Sequence, residues 1–157
     1  MLVLFSIIDE RWKIADFGCT SEGTSQTLKD SISSRGTAVY RGPELLREDG
    51  GYNSKTDIWA LGCIAYEFCT KRRAFESDFE TQEYRNSAMS ITKNVFQGIE
   101  PWSLGKEECL ARRIYKDIVD KCLQVDWQKR SSSSELLEFV LEIFDEVEQI
   151  NISHVNV

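Results

Sequence analysis

The chain has 157 residues, one domain or a large part of one, and its 41% hydrophobic and 29% charged content is ordinary for a soluble globular protein. Its formal net charge of −7 is spread along the sequence, which argues against nucleic acid or an anionic membrane as the main partner. A single histidine, His154, excludes a Ser-His-Asp triad and a histidine-centred metal site, while five cysteines without a C-x-x-C pair (Cys19, Cys63, Cys69, Cys109, Cys122) read as buried thiols in a reducing, intracellular compartment.

Met1 to Ile8 (MLVLFSII) lacks a basic leader and a small-residue cleavage site, and it is far shorter than the roughly 20 residues of a membrane helix. Its β-branched and aromatic content predicts a buried strand. Asp9-Glu10-Arg11 then turns the chain into a second short run, Trp12-Lys13-Ile14-Ala15, and the pair reads as a hairpin ending at Asp16. Cys19 to Gly36 is polar and rich in Ser, Thr and Gly, which predicts a mobile loop rather than a helix or strand. Ser31, Ser33 and Ser34 in this loop are candidate phosphosites or plain solvated residues.

Pro43 at a first helical position, followed by Glu44-Leu45-Leu46, starts a short helix that Gly50-Gly51 ends. Ser54 with Asp57 three residues later is a capping-box-like start for a helix over about 55–69. Its apolar residues Ile58, Trp59, Leu61, Ile64, Ala65 and Phe68 cover most of the circumference, which predicts a helix buried in the middle of the domain. A helix near 80–97 keeps a poor period, and Pro101-Trp102 breaks it. Helical spacing returns at Leu110, Ile114, Ile118, Val119 and Leu123, and again at Leu136, Leu137, Val140, Leu141 and Phe144 behind a Ser132/Glu135 capping start. The acidic stripe from Glu135 to Glu148 reads as a solvated helix face, and the Asn151-Ile152-Ser153 sequon has no meaning without secretion. The predicted fold is mostly α, a short N-terminal β hairpin followed by four to five helices.

The residues that carry chemistry are ordered along the chain. Asp16-Phe17-Gly18 places a carboxylate on a tight strand-to-loop turn, which suits Mg²⁺ because that ion takes few protein oxygens and leaves the rest of its shell to phosphates and water. Lys13 to Gly18 (KIADFG) resembles the D-F-G strand of eukaryotic protein kinases. Gly36 to Glu44 (GTAVYRGPE) resembles the G-T-x-x-Y-x-A-P-E segment that closes the family's activation loop, with Gly42 in place of the usual Ala. Asp57 to Gly62 (DIWALG) is similar to the D-x-W-x-x-G stretch of its central helix, carrying Trp59 and Gly62. Cys122 to Arg130 (CLQVDWQKR) is similar to its late C-L-x-x-D-P-x-x-R element, with Trp127 where Pro is usual. The resemblance covers residues 12–148 and implies a partial kinase domain over 1–148, the C-terminal lobe, with 149–157 as a tail.

The resemblance also implies roles. Asp16 would bind Mg²⁺ bridging the ATP phosphates, and Gly36, Thr37 and Tyr40 would belong to the surface that receives the substrate residue beside the acceptor hydroxyl. Thr37 would touch the catalytic carboxylate, as in kinases selective for serine and threonine. Gly42 and Pro43 would lead into Glu44, which would pair with Arg130, and Asp57 would hold the catalytic loop from below. The Gly-rich loop, the strand Lys and the H-R-D-x-x-x-x-N loop of the family do not occur in these 157 residues, so the sequence predicts no catalytic base, no bound Mg²⁺ or ATP, and no phosphotransferase activity for this chain alone. The alternatives are a pseudokinase-like protein-binding module or a truncated relic. Partners would be a protein substrate, a docking protein or a second copy meeting an exposed lobe face, with Asp57 a buried, poorly paired carboxylate and Phe17 short of packing neighbours.

Overall fold

The structure, a computed structural model, describes residues 2–18, 20, 22, 24–30, 36–48, 50–87 and 115–155, with Leu2, Asp30 and 146–155 described for their backbone only. Strands β1 (Leu2–Ser6) and β2 (Arg11–Ala15) form an antiparallel hairpin in which Leu2 faces Ala15 and Phe5 faces Trp12. A second, two-residue ladder joins β3 (Lys29–Asp30) to β4 (Gly51–Tyr52). The helices are α1 (Ser54–Thr70), α2 (Asp78–Ser87), α3 (residues 115–122) and α4 (Ser133–Val155). Four helices and one hairpin among the described residues agree with the predicted class.

The start of α1 rests on local chemistry one residue earlier than the sequence suggests. Asn53, not Ser54, is the cap: its side chain accepts from the Lys55 amide at 2.9 Å, and the Thr56 hydroxyl accepts from the Asn53 amide at 3.2 Å. Asn is as strong a cap as Ser, and its reciprocal partner here is a Thr rather than an acidic residue, which hides the box from a search for S/T-x-x-E/D. At the other end Lys71 adopts a left-handed conformation (φ 59°) and its amide bonds back to the Glu67 carbonyl at 2.8 Å. The start of α4 is the one the sequence predicts. Ser132 and Glu135 exchange amide bonds at 2.6 and 3.3 Å, and the Ser132 donors hold the Glu135 carboxyl below its ordinary range.

Helix α1 separates two apolar clusters. On one side Trp59 and Cys63 pack with Phe75, Val119 and Leu123, and the Trp59 and Phe75 rings stack at 5.5 Å with Tyr84 tilted against both. On the other side Ile58 meets Cys122 and Leu136. Its C-terminal turn is different, since Phe68 is half exposed. The helix is therefore central through its first three turns only. Gly62 lies where α1 crosses the end of α3, and a methyl group there would stand 2.5 Å from the Cys122 Cβ and 2.8 Å from Leu123 Cδ2. Only a hydrogen fits at that crossing.

Two expectations are corrected here. The segment 2–8 is not a buried strand: Leu4 and Phe5 are half exposed, and Ile7 and Ile8 form the hairpin turn with Ile8 94% exposed. Two strands alone offer too little sheet to bury a face, and the contact of the hairpin's Trp12 is with Phe68 (6.3 Å between rings). The stretch 19–36 is not all loop, because Lys29 and Asp30 add onto β4 through backbone bonds that no side-chain pattern announces. The predicted helix near 80–97 is observed as α2 to Ser87, and its remainder lies outside the described residues, as do Leu110, Ile114, Cys19, Cys109 and Ser31, Ser33 and Ser34.

Gly62→Ala is expected to destabilise the fold by ~1–3 kcal/mol through overpacking, read from the urea midpoint. Burial pushes the Cys63 and Cys122 thiols from 9.0 to about 12. The folded chain thus holds these protons more tightly, so their contribution to stability is complete below pH 9.0 and is lost as pH climbs toward 12. Urea midpoints measured across that window are expected to fall more steeply for the natural chain than for a Cys63→Ala/Cys122→Ala variant, and equal slopes would contradict the assignment.

Candidate functional site

Asp16 leaves β2 in the left-handed region (φ 64°), a conformation Asp tolerates better than most residues. Its carboxylate is exposed, and Phe17 beside it is 68% exposed, short of packing neighbours among the described residues as the sequence predicts. The turn closes through the Thr20 amide on the Phe17 carbonyl at 3.0 Å. One exposed carboxylate suits a cation that is already shared with phosphates, since Mg²⁺ keeps most of its shell for water and phosphate oxygen. Among the described residues no group of three His, Cys, Asp or Glu comes together that could hold a metal by itself.

The segment 36–46 runs over α1 and α2 as two 3₁₀ turns, Ala38–Tyr40 and Pro43–Leu46. Pro43 at the first position of the second turn supplies the fixed φ that a helical start requires, as the sequence predicts. Gly36 and Thr37 face solvent, while Tyr40 turns inward and its hydroxyl donates to the Glu67 carboxylate of α1 at 2.9 Å. Burial and then that hydrogen bond raise the Tyr40 phenol above its ordinary value. Arg41 donates to the Asp78 carboxylate at 2.8 Å and to the Gly36 carbonyl at 2.9 Å.

Beyond Gly42 the segment enters the core. Glu44 and Arg130 form a two-pronged ion pair, Nη1 to Oε1 at 2.7 Å and Nη2 to Oε2 at 2.9 Å, and both side chains are almost wholly buried. The same guanidinium donates to the Lys55 carbonyl at 2.7 Å and to the Gln124 carbonyl through Nε (3.1 Å) and Nη2 (3.0 Å), and it stacks over the Trp59 ring at 5.0 Å. The planar fork of Arg matches a carboxylate on one edge and carbonyls on the other, which is what a buried cation requires. Gly42 leaves space for this carboxylate: a methyl there would lie 2.6 Å from Glu44 Oε1.

Asp57 departs from expectation. It is exposed on the first turn of α1 rather than buried, because its helical position points away from the face formed by Ile58, Trp59 and Gly62. The protein mass at the helix base still removes part of its hydration and pushes its carboxyl above the ordinary range. An open surface cavity of about 330 Å³ is lined by Asp117, Lys121, Gln124 and Phe139 among others, and of the residues described above it shares only Gln124.

The structure therefore brings Gly42, Pro43, Glu44, Trp59 and Arg130 into one buried cluster, ties Tyr40 to its edge, and leaves Asp16, Phe17, Gly36, Thr37 and Asp57 on the surface. Sequence reasoning missed Lys55, Gln124, Glu67, Arg41 and Asp78. Lys55 and Gln124 act on Arg130 through backbone carbonyls, which carry no residue-type signal, whereas the Glu67 and Asp78 pairings are set by tertiary approach across 27 and 37 residues.

Comparison with known proteins points to the same family. Residues 3–140 match the family model described as "Protein kinase domain". The chain is 44% identical over 130 residues to serine/threonine-protein kinase Nek5 of Mus musculus, covering 80% of this chain and 18% of that protein. It is 32% identical over 146 residues to serine/threonine-protein kinase fray1 of Dictyostelium discoideum, covering 90% of this chain and 23% of that protein. It is 34% identical over 137 residues to serine/threonine-protein kinase cds1 of Schizosaccharomyces pombe, covering 83% of this chain and 27% of that protein. The chain spans about a quarter or less of the length of these curated relatives.

Replacing Glu44 by Gln is expected to cost about 3–5 kcal/mol, because it leaves the Arg130 cation buried without its counter-charge. An apolar double replacement, Glu44→Met with Arg130→Leu, is expected to recover only part of that loss. It removes the charge imbalance but strips the Lys55 and Gln124 carbonyls of their donors. Urea unfolding of the two variants decides it, and full recovery would show that the carbonyl bonds add nothing.

Proposed function

The chain belongs to the protein kinase family, and on that premise we propose that it is the C-terminal-lobe portion of a serine/threonine kinase domain, residues 1–148, followed by a tail. The family reaction is transfer of the ATP γ-phosphate to protein Ser or Thr. The observation that carries the reading is the shape of the segment 36–44. Its Glu44 end is locked in the core by Arg130 while Gly36 and Thr37 are offered to solvent, the arrangement of a surface that receives another chain.

In this reading Asp16 would hold Mg²⁺, and the ion would supply charge neutralisation at the ATP phosphates. Its left-handed turn presents the carboxylate outward from the end of β2, so the group needs no rearrangement to meet a ligand. Thr37 sits at the exposed start of the first 3₁₀ turn, where it would face the catalytic carboxylate and favour hydroxyl acceptors of the Ser/Thr class. Asp57, exposed and with a raised pKa, would accept backbone donors of the catalytic loop, which would draw its carboxyl back down. The family's Gly-rich loop, strand Lys and H-R-D loop do not occur in these 157 residues, and the chain alone transfers no phosphate. Three free thiols, Cys63, Cys69 and Cys122, in an acidic chain whose relatives are protein kinases fit an intracellular setting, and no helix among the described residues is long and apolar enough to cross a membrane.

A second reading, a pseudokinase-like docking module, is favoured by one observation. Phe5, Trp12 and Phe68 form a row of half-exposed or more exposed rings, with Phe5 and Trp12 at 5.2 Å and Trp12 and Phe68 at 6.3 Å. Such a surface takes a protein partner or a second copy of the chain.

A chimera separates the two. The part of mouse Nek5 that precedes its match to this chain is fused to residues 2–157, and transfer of labelled phosphate to a generic protein substrate is measured. The chimera is expected to phosphorylate Ser or Thr, an Asp16→Ala chimera to lose at least ~100-fold, and the 157-residue chain to show no transfer. A folded but inactive chimera would favour the docking module, and transfer by the chain alone would overturn the proposal.

A further inference from the structure

Among the described hydrogen bonds, two side chains, Tyr40 and Arg41, join residues 36–42 to the helices. Tyr40 bonds to Glu67 and so to α1, through the middle of the segment. Arg41 reaches in two directions at once: Nη1 meets Asp78 at the first residue of α2, and Nε meets the carbonyl of Gly36 at the far end of the segment. Gly36 is in the left-handed region (φ 82°), which glycine enters as readily as any other, so its own dihedral preference does not fix the turn there. Of the described bonds, those of Arg41 are the ones that reach back to it.

The α2 end of this bridge is rigid. Thr81 is wholly buried, Tyr84 packs on Trp59 and Phe75, and its hydroxyl donates to the Leu123 carbonyl at 3.2 Å. Asp78 therefore stands on a helix fastened to the core cluster. The Arg41–Asp78 pair is partly buried, with side-chain exposures of 18% and 34%, so it is screened less than a surface pair. The two acceptors lie on different elements, and a planar guanidinium spans them where a single ammonium does not.

We propose that Arg41 is a positioning residue: its guanidinium bridges α2 to the Gly36 carbonyl and sets the shape of the exposed Gly36–Thr37 surface. The consequence for substrate rests on reading that surface as the one that receives the acceptor chain. Under it, the position of α2 governs how Thr37 is presented, although neither Arg41 nor Asp78 touches the reacting atoms.

Amide hydrogen exchange on the full 157-residue chain tests the bridge without any substrate. The reporters are the Tyr40 and Arg41 amides, bonded to the Thr37 and Ala38 carbonyls at 3.0 and 3.1 Å. Arg41→Met and Asp78→Asn are each expected to speed their exchange about tenfold, the equivalent of about 1.4 kcal/mol of local opening, while α1 and α4 amides keep their rates. Arg41→Lys is expected to behave like Arg41→Met. Unchanged exchange in Arg41→Met or Asp78→Asn, exchange that rises equally throughout the chain, or natural exchange in Arg41→Lys would each overturn the proposal. Such a failure leaves the reading of the surface standing, just as an inactive chimera would refute that reading and leave the bridge untouched.

Discussion

The buried guanidinium of Arg130 is the constraint on which the rest depends. A cation removed from water is tolerable only when nearly every donor is matched, and here it meets the Glu44 carboxylate, the Lys55 and Gln124 carbonyls and the Trp59 face. Those partners come from three stretches of chain: the segment after Gly42, the first half of α1, and the loop that follows α3. One side chain thus ties three separate stretches of the chain together. The segment 36–46 belongs to no sheet, and Arg130 anchors its inner end while Tyr40 and Arg41 fasten the outer one.

Around that point the molecule is built asymmetrically. The first three turns of α1 are enclosed by α2, α3 and α4, with Gly62 allowing the closest approach. The hairpin and the C-terminal turn of α1 form a surface where Phe5, Trp12, Phe17 and Phe68 meet solvent. Polar positioning and apolar exposure are therefore separated in space. The rigid part holds the segment 36–44, and the open part carries Asp16 and the aromatic row. On the function proposed above, the rigid part would serve the acceptor and the open part the metal, in a family whose chemistry depends on placing phosphate, metal and acceptor together.

How far the sequence could be read depended on the kind of interaction. The hairpin, the order of the helices, the Pro43 start and the Ser132 cap are local, and they were legible because period and capping chemistry act over a few residues. Glu44 with Arg130 was legible only through the motif resemblance, since nothing local relates residues 86 apart. The burial of residues 2–8 was misread because apolar composition reports what a strand prefers, and burial needs a second layer to lie against. Asp57 was misread for a related reason: a motif position says which residue stands there, not how deeply the surrounding fold encloses it.

The sequence by itself determined the family, the order of the motifs and the Pro43 and Ser132 helix starts, because each is written in residue type and short spacing. Only the tertiary structure decided that Asp16 and Phe17 stand in solvent, that Arg41 spans Gly36 and Asp78, and that a lysine and a glutamine serve Arg130 through their backbones. Those facts depend on which surfaces meet and on carbonyls that every residue carries. No pattern of side chains along the chain encodes either one.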